Sequence, residues 1–269
     1  MVGPSTSLGM NGSENIMERN ELMGGQVVEL LFASPPANIV TEKAIVELTA
    51  ALRELANEKA VKLVIIAGKG DHFSYGASVE EHQKPKVDWM LPKFHQLIST
   101  LLELPIPTLA RVSGRCFGGG FEVAMACSMM MVDETVSAGV PEVKLGVFPP
   151  VAAALLGALI PANKAAELIL TGRSCDAAEL SRLGLANEVA PKGKLSDAVM
   201  AFAEKNILPQ SASSLRHANR ASRLGLLMRY RELIPALEKQ YLVELMATKD
   251  ANEGIAAFIA KRRPSWSNE

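Results

Sequence analysis

The chain has 269 residues, 48% of them hydrophobic and 21% charged. That balance excludes wholesale disorder and suits one large globular domain, or one domain with an appendage. Its 28 Lys+Arg against 29 Asp+Glu leave a net charge of −1, so no global field draws it to nucleic acid or to an anionic membrane.

Residues 1–24 are rich in Ser, Gly and Asn, show no apolar period and read as a mobile tail. They lack the basic start and apolar centre of a secretory signal. Regular structure is predicted from Gln26. Val27–Phe32 reads as a strand, ended by Ser34-Pro35-Pro36. Thr41 is placed to cap a helix over 42–57, with Ile45, Leu48, Leu52 and Leu55 on one stripe. The apolar run 62–67 suits a strand buried on both faces, as in a parallel sheet. A Gly- and Ser-rich loop over 69–79 precedes a helix over Val87–Glu103 and a strand over Thr108–Val112. Residues 114–120 read as a glycine-rich turn, followed by a helix over 119–127 and a strand over 129–132.

The longest apolar run, 151–160, lies between Pro150 and Pro161. It is far short of the roughly 20 residues of a membrane span and reads as a buried helix. After Pro191 helices dominate, over 195–205, 212–223, 228–247 and 250–261. In the last, Asp250 and Glu253 are spaced as an N-cap and N3 pair. The alternation predicts an α/β core over 25–191 and a helical segment over 192–269.

Cys116, Cys127 and Cys175 form no CxxC pair and suit the reduced thiols of a cytoplasmic protein. The four histidines show no metal-ligand spacing, so no metal is expected. His82 and His95 are pocket candidates, with a structural or exposed role as the plainer alternative.

Three stretches carry unusual local chemistry. In His72-Phe73-Ser74-Tyr75-Gly76-Ala77-Ser78, Gly76 permits a turn that frees the Ala77 amide from any ladder; the plain alternative is a surface loop. In Gly114-Arg115-Cys116-Phe117-Gly118-Gly119-Gly120-Phe121-Glu122, three consecutive glycines each cost a helix about 1 kcal/mol relative to alanine. A ligand approaching the backbone at a helix start would offset that cost, as would tight helix–sheet packing. The spacing is not GxGxxG and no P-loop lysine follows, so a nucleotide site is disfavoured. The third stretch is Val140-Pro141-Glu142. Glu122 and Glu142 both sit in apolar surroundings, where carboxylates are costly unless paired or functional. Burial would raise their pKa values and suit them to proton transfer.

Together these motifs resemble the crotonase, or enoyl-CoA hydratase/isomerase, family over about residues 25–265. The resemblance implies a spiral core of ββα units with a helical C-terminal segment for trimerisation. It also implies an acyl-CoA thioester held by the backbone N–H groups of Ala77 and Gly119, with Glu122 and Glu142 as the catalytic acids. Ser78 and Val79 then border coenzyme A, and Phe258 and Lys261 match the closing-helix positions beside its adenine and phosphate. Coenzyme A arrives with the substrate, and no separate cofactor is implied. The implied assembly is a homotrimer or a dimer of trimers.

Two departures from the family pattern stand out. Ser78 replaces the usual Asp of the first loop, and Phe148-Pro149-Pro150-Val151-Ala152-Ala153-Ala154 replaces a glycine-rich stretch. With Pro36-Ala37-Asn38-Ile39-Val40, they are similar to the subgroup that hydrates cyclohexa-1,5-diene-1-carbonyl-CoA in aromatic degradation. The alanine run is then expected either to leave room for a compact ring or to let a helix pack closely. Hydration of linear enoyl-CoA esters in fatty acid metabolism, double-bond isomerisation and a non-catalytic acyl-CoA-binding scaffold are the alternatives. Two glutamates favour hydration, since isomerisation can proceed with one base.

Overall fold

The computed structural model describes residues 16–269. The tail expected over 1–24 is thus described only in its last part, and that part is not a tail. Met17–Leu22 forms strand β1, which pairs antiparallel with β2, Val27–Phe32. Only Met17 of β1 is fully buried, so this edge strand is mostly polar and gives no apolar alternation to read.

Strands β3 (Leu63–Gly68), β4 (Thr108–Val112), β6 (Met129–Asp133) and β9 (Glu188–Ala190) extend the sheet in parallel, in the order β1-β2-β3-β4-β6-β9. Alternate residues of β3 enter two different cores. Val64 and Ile66 face the larger one; Leu63 and Ile65 face the smaller. Each such side chain, fully buried, contributes about 1.5–3 kcal/mol. The two-faced burial explains why the run is apolar without a break.

A second, smaller layer consists of β5 (Arg115–Phe117), β7 (Ser137–Gly139) and β8 (Ser174–Asp176). Single bridges continue it, Val40 with Ala77 and Ser74 with Cys116. Each turn of the chain therefore lays one strand in the large sheet, touches the small layer and returns through a helix. The helices are α1 (Glu42–Leu55), α2 (Val87–Glu103), α3 (Gly119–Met125) and α4 (Pro150–Leu159). This is the expected ββα spiral. Thr41 caps α1 by accepting from the Ala44 amide at 3.4 Å. The turn expected over 114–120 contains β5, and strands of three residues are too short to show a period.

Helices α5 (Ala162–Thr171) and α6 (Ala177–Arg182) flank β8. The C-terminal segment holds α7 (Leu195–Phe202), α8 (Ala212–Lys239) and α9 (Lys249–Ile259). One helix, α8, replaces the two expected over 212–247 and runs unbroken through Gly225. It packs on α2 and α4, and tertiary packing of that kind outweighs a single glycine's cost. The cap of α9 is Thr248, accepting from the Ala251 amide, rather than Asp250. Asp250 instead accepts from the Ser267 and Asn268 amides of the C-terminal strand of chain. All three cysteines are free and buried. Among the described residues, no helix is long and apolar enough to cross a membrane.

Candidate active site

Two loops converge at the end of β3 and the start of α3. Asn38, fully buried, pins the first by donating from Nδ2 to the carbonyls of Lys69 (3.0 Å) and His72 (2.8 Å). Tyr75 then donates to Ala37 O at 2.8 Å. Beyond it, Val40 N–H donates to Gly76 O (2.9 Å) and Val40 O accepts from Ser78 N–H (3.2 Å). In such a parallel bridge the intervening residue turns its own N–H away. The Ala77 amide is thereby aimed off the ladder. Gly76 has φ +108°, and a Cβ there would lie 2.9 Å from Phe117 O.

The second loop leaves β5 at Gly118, whose N–H donates to Gly139 O at 2.9 Å. Its backbone (φ 48°, ψ −128°) is open to glycine alone. A Cβ on Gly118 would meet Glu142 Oε1 at 2.6 Å, so the carboxylate rests against bare backbone. Gly119 opens α3, and as the first helical residue its N–H has no partner within the helix. A Cβ built on Gly119 would lie 3.4 Å from Ala77 N, which measures how closely the two loops approach. Among the described residues, neither the Ala77 nor the Gly119 N–H donates to another backbone carbonyl.

Glu122, one turn into α3, is 4% exposed. Its carboxylate accepts from Ala152 N–H at 2.8 Å, and the Val151 N–H also faces it. These are the first free amides of α4, which opens on Pro149-Pro150 and has no side-chain cap of its own. Glu122 fills that role from another helix. Burial pushes its pKa up to about 7, with the α4 amides opposing the rise. Glu142 sits in the turn Pro141–Leu145, its Oε2 enclosed and without a hydrogen-bond partner. Burial first, then the charge of Glu122, hold it well above the usual carboxylate range.

Ala77, Gly119, Glu122 and Glu142 all line one cavity of about 350 Å³. Its apolar walls include Met90, Leu91 and Phe94 from α2, with Val147, Phe148 and Pro149 ahead of α4 and Pro150 at its start. Val79 and Phe258 also line it; Ser78 and Lys261 do not. Ser78 is tied up by its backbone, its carbonyl accepting from His82 Nδ1 at 2.8 Å. Lys261 is exposed just beyond α9 with φ 53°. A lysine that sequence reasoning passed over, Lys144, lines the cavity instead.

His82 lines the cavity, whereas His95 does not. His95 is buried on α2, its Nδ1 donating to Glu238 at 2.6 Å. The run Ala152-Ala153-Ala154 also stays out of the lining and makes no room for a ring. Its small side chains let α4 pack on α8, and Ala154 O accepts from Arg229 Nε at 2.9 Å. Tyr241, which lines the cavity from beyond α8, is a further residue the sequence did not single out. A lone aromatic 99 positions after Glu142 carries no local signal (241 − 142 = 99).

Residues 23–269 match the profile of the family described as Enoyl-CoA hydratase/isomerase. The chain is 38% identical over 244 residues to cyclohexa-1,5-dienecarbonyl-CoA hydratase of Thauera aromatica, covering 91% of this chain and 94% of that one. It is 33% identical over 255 residues to a probable enoyl-CoA hydratase of Mycobacterium tuberculosis, covering 94% and 97%. Among solved structures, carnitinyl-CoA hydratase from Mycobacterium avium superposes with a TM-score of 0.81 at 27% identity, covering 96% and 100%. An enoyl-CoA hydratase from Mycobacterium avium subsp. paratuberculosis shares the fold with a TM-score of 0.83 at 24% identity, covering 94% and 98%.

Proposed function

The chain belongs to the enoyl-CoA hydratase/isomerase family, and from that premise we propose that it adds water to a conjugated, compact cyclic dienoyl-CoA thioester. The observation that carries the hydration reading is the shared cavity, where two unladdered amides and two buried carboxyl groups meet. Support for a cyclic acyl group comes from the name of the Thauera aromatica relative and from the Phe148, Pro149, Pro150 and Tyr241 wall. A cavity of about 350 Å³ is at the small end for ligand clefts.

The thioester oxygen accepts from Ala77 and Gly119 N–H. As water adds, negative charge collects on that oxygen, and each donor contributes about 3 kcal/mol to stabilising it. The two carboxyls divide the proton work by their affinities. Burial, then the charge of Glu122, holds Glu142 well above the usual carboxylate range, while burial poises Glu122 near neutrality. Glu122 as carboxylate takes a proton from water. Glu142 as carboxylic acid delivers one to carbon. The pair together holds about one proton at neutral pH.

We extend the proposal to coenzyme A at the cavity mouth. Val79, Phe258 and Lys144 lie on the lining; Ser78 adjoins Val79 in the chain, and Lys261 follows Phe258 by three residues just beyond α9. We also propose a homotrimer or dimer of trimers. Leu224 and Met228, 55% and 62% exposed on α8, support that reading as apolar side chains in need of a cover. Light scattering on the purified protein tests it. The substrate test is a panel of cyclic and linear enoyl-CoA esters. Cyclohexadienoyl-CoA is expected to give the highest kcat/KM; faster turnover of crotonyl-CoA would defeat the cyclic assignment.

A further inference from the structure

Among the polar side chains that line the cavity, Tyr241 has no part in the scheme above. Tyr241 lies in the π-helical turn Gln240–Glu244 that continues α8, and is 1% exposed. Its ring is wedged between Phe148, with centroids 5.5 Å apart, and His82, at 6.4 Å. Those two ring contacts would serve a phenylalanine equally well. The hydroxyl, however, is buried and has no hydrogen-bond partner among the described residues. An unpartnered buried hydroxyl is destabilising and calls for an explanation. Glu142 Oε2, on the same cavity, is unpartnered too.

No acceptor among the described residues takes the phenol proton. His82 Nδ1 donates to Ser78 O, which leaves Nε2 as that ring's acceptor, and Nε2 makes no bond to Tyr241. The Glu122 carboxylate is engaged by the α4 amides. Burial, together with the charges of Glu142 and Glu122, raises the phenol's pKa above its ordinary value, so the hydroxyl keeps its proton and acts as a donor. A donor fixed in an apolar wall beside two carboxyls meets the chemistry of one particular atom, the oxygen that water brings.

Building on the hydratase reading, we propose that Tyr241 hydrogen-bonds the incoming oxygen and the hydroxyl of the hydrated acyl-CoA product. In that step the water oxygen forms the C–O bond to the substrate. One of its protons passes to Glu122, and the proton of Glu142 passes to the carbon that takes up the electron pair of the broken double bond. Tyr241 keeps its own proton and donates to a lone pair of the new hydroxyl. The unsaturated substrate lacks that oxygen, so Tyr241 discriminates product and transition state from substrate.

The test is Tyr241→Phe, which preserves both ring contacts. Steady-state hydration by the full-length protein gives kcat and KM, and inhibition by the hydroxyacyl-CoA product gives its Ki. The expected result is a fall in kcat and a rise in product Ki of about ten-fold each, with KM for the enoyl ester within two-fold. Tm is expected to hold or rise, because the hydroxyl has no partner to lose. Wild-type kcat and product Ki in the variant would overturn the role of Tyr241 while leaving the hydratase reading intact. Equal weakening for substrate and product, with a lower Tm, would reduce Tyr241 to a packing residue. If the wild type hydrates no ester of the panel, both readings fall.

Discussion

Replacing Gly118 by alanine perturbs the site at one atom. The added Cβ would stand 2.6 Å from Glu142 Oε1, whereas an ordinary contact needs about 3.4 Å, so one partner must retreat by nearly 1 Å. The backbone at φ 48°, ψ −128° adds strain for any side chain, of order 1–3 kcal/mol. For a chain of 269 residues that strain corresponds to a Tm lower by roughly 2–5 °C. Misplacing a catalytic carboxyl by about 1 Å costs on the order of 100-fold in rate. Hydration kcat in Gly118→Ala should therefore drop about 100-fold while the protein remains folded below its new Tm. Loss of the conjugated thioester absorbance reports the rate, and thermal unfolding by circular dichroism reports the Tm. A double-mutant cycle with Glu142→Gln isolates the cause: once the carboxyl is gone, the alanine should cost little further rate. If Gly118→Ala retains kcat within two-fold, or if the two losses are additive, the close approach of Glu142 to Gly118 is irrelevant to catalysis.

Three other outcomes are expected. Glu122→Gln and Glu142→Gln should each lower kcat by about 10²–10⁴-fold with KM little changed, and an unaffected kcat in either would remove that residue from the proton work. Wild-type kcat should rise with pH through about 7, as Glu122 ionises, and fall above that as Glu142 loses its proton; a flat profile between pH 5 and 9 would contradict the assignment. The linked stability has the opposite sign. A carboxyl raised from 4.5 to about 7 binds more protons folded than unfolded, so its stabilisation is full below about 4.5 and is lost by about pH 7, roughly 3 kcal/mol in all. Urea unfolding of Glu122→Gln should lack that loss. Finally, Asn38→Ala strips two carbonyls of their donor and should cost about 2–4 kcal/mol in the same assay, with kcat falling as the Ala77 loop loosens; an unchanged urea midpoint would mean that the loop is held elsewhere.

Much of the frame was legible because long elements carry their own period. Val87–Glu103 and Thr108–Val112 begin and end where the apolar spacing says, and Thr41 caps α1 as its position before the stripe implies. The motif residues 77, 119, 122 and 142 come together on one cavity because glycine and buried acid are costly choices that stand out in a sequence. What escaped lacks such a signature. Strand β1 carries Glu18, Arg19 and Glu21 on an edge, and β5, β7 and β8 have three residues each. The gap expected between 223 and 228 contains Gly225, but neighbours across the fold decide that helix. Asp250 has the composition of a cap, yet the C-terminal chain competes for it. Tyr241 reaches the cavity only through tertiary placement, as does the uncapped α4 that seizes Glu122.

That grip of α4 on Glu122 has a bearing on descent. A lineage that abandoned turnover and drifted to an aliphatic residue at 122 would also leave the Val151 and Ala152 amides at the start of α4 without their acceptor. The acid at 122 thus serves architecture as well as the proposed chemistry, and its mere presence in a homologue is no proof of an active enzyme.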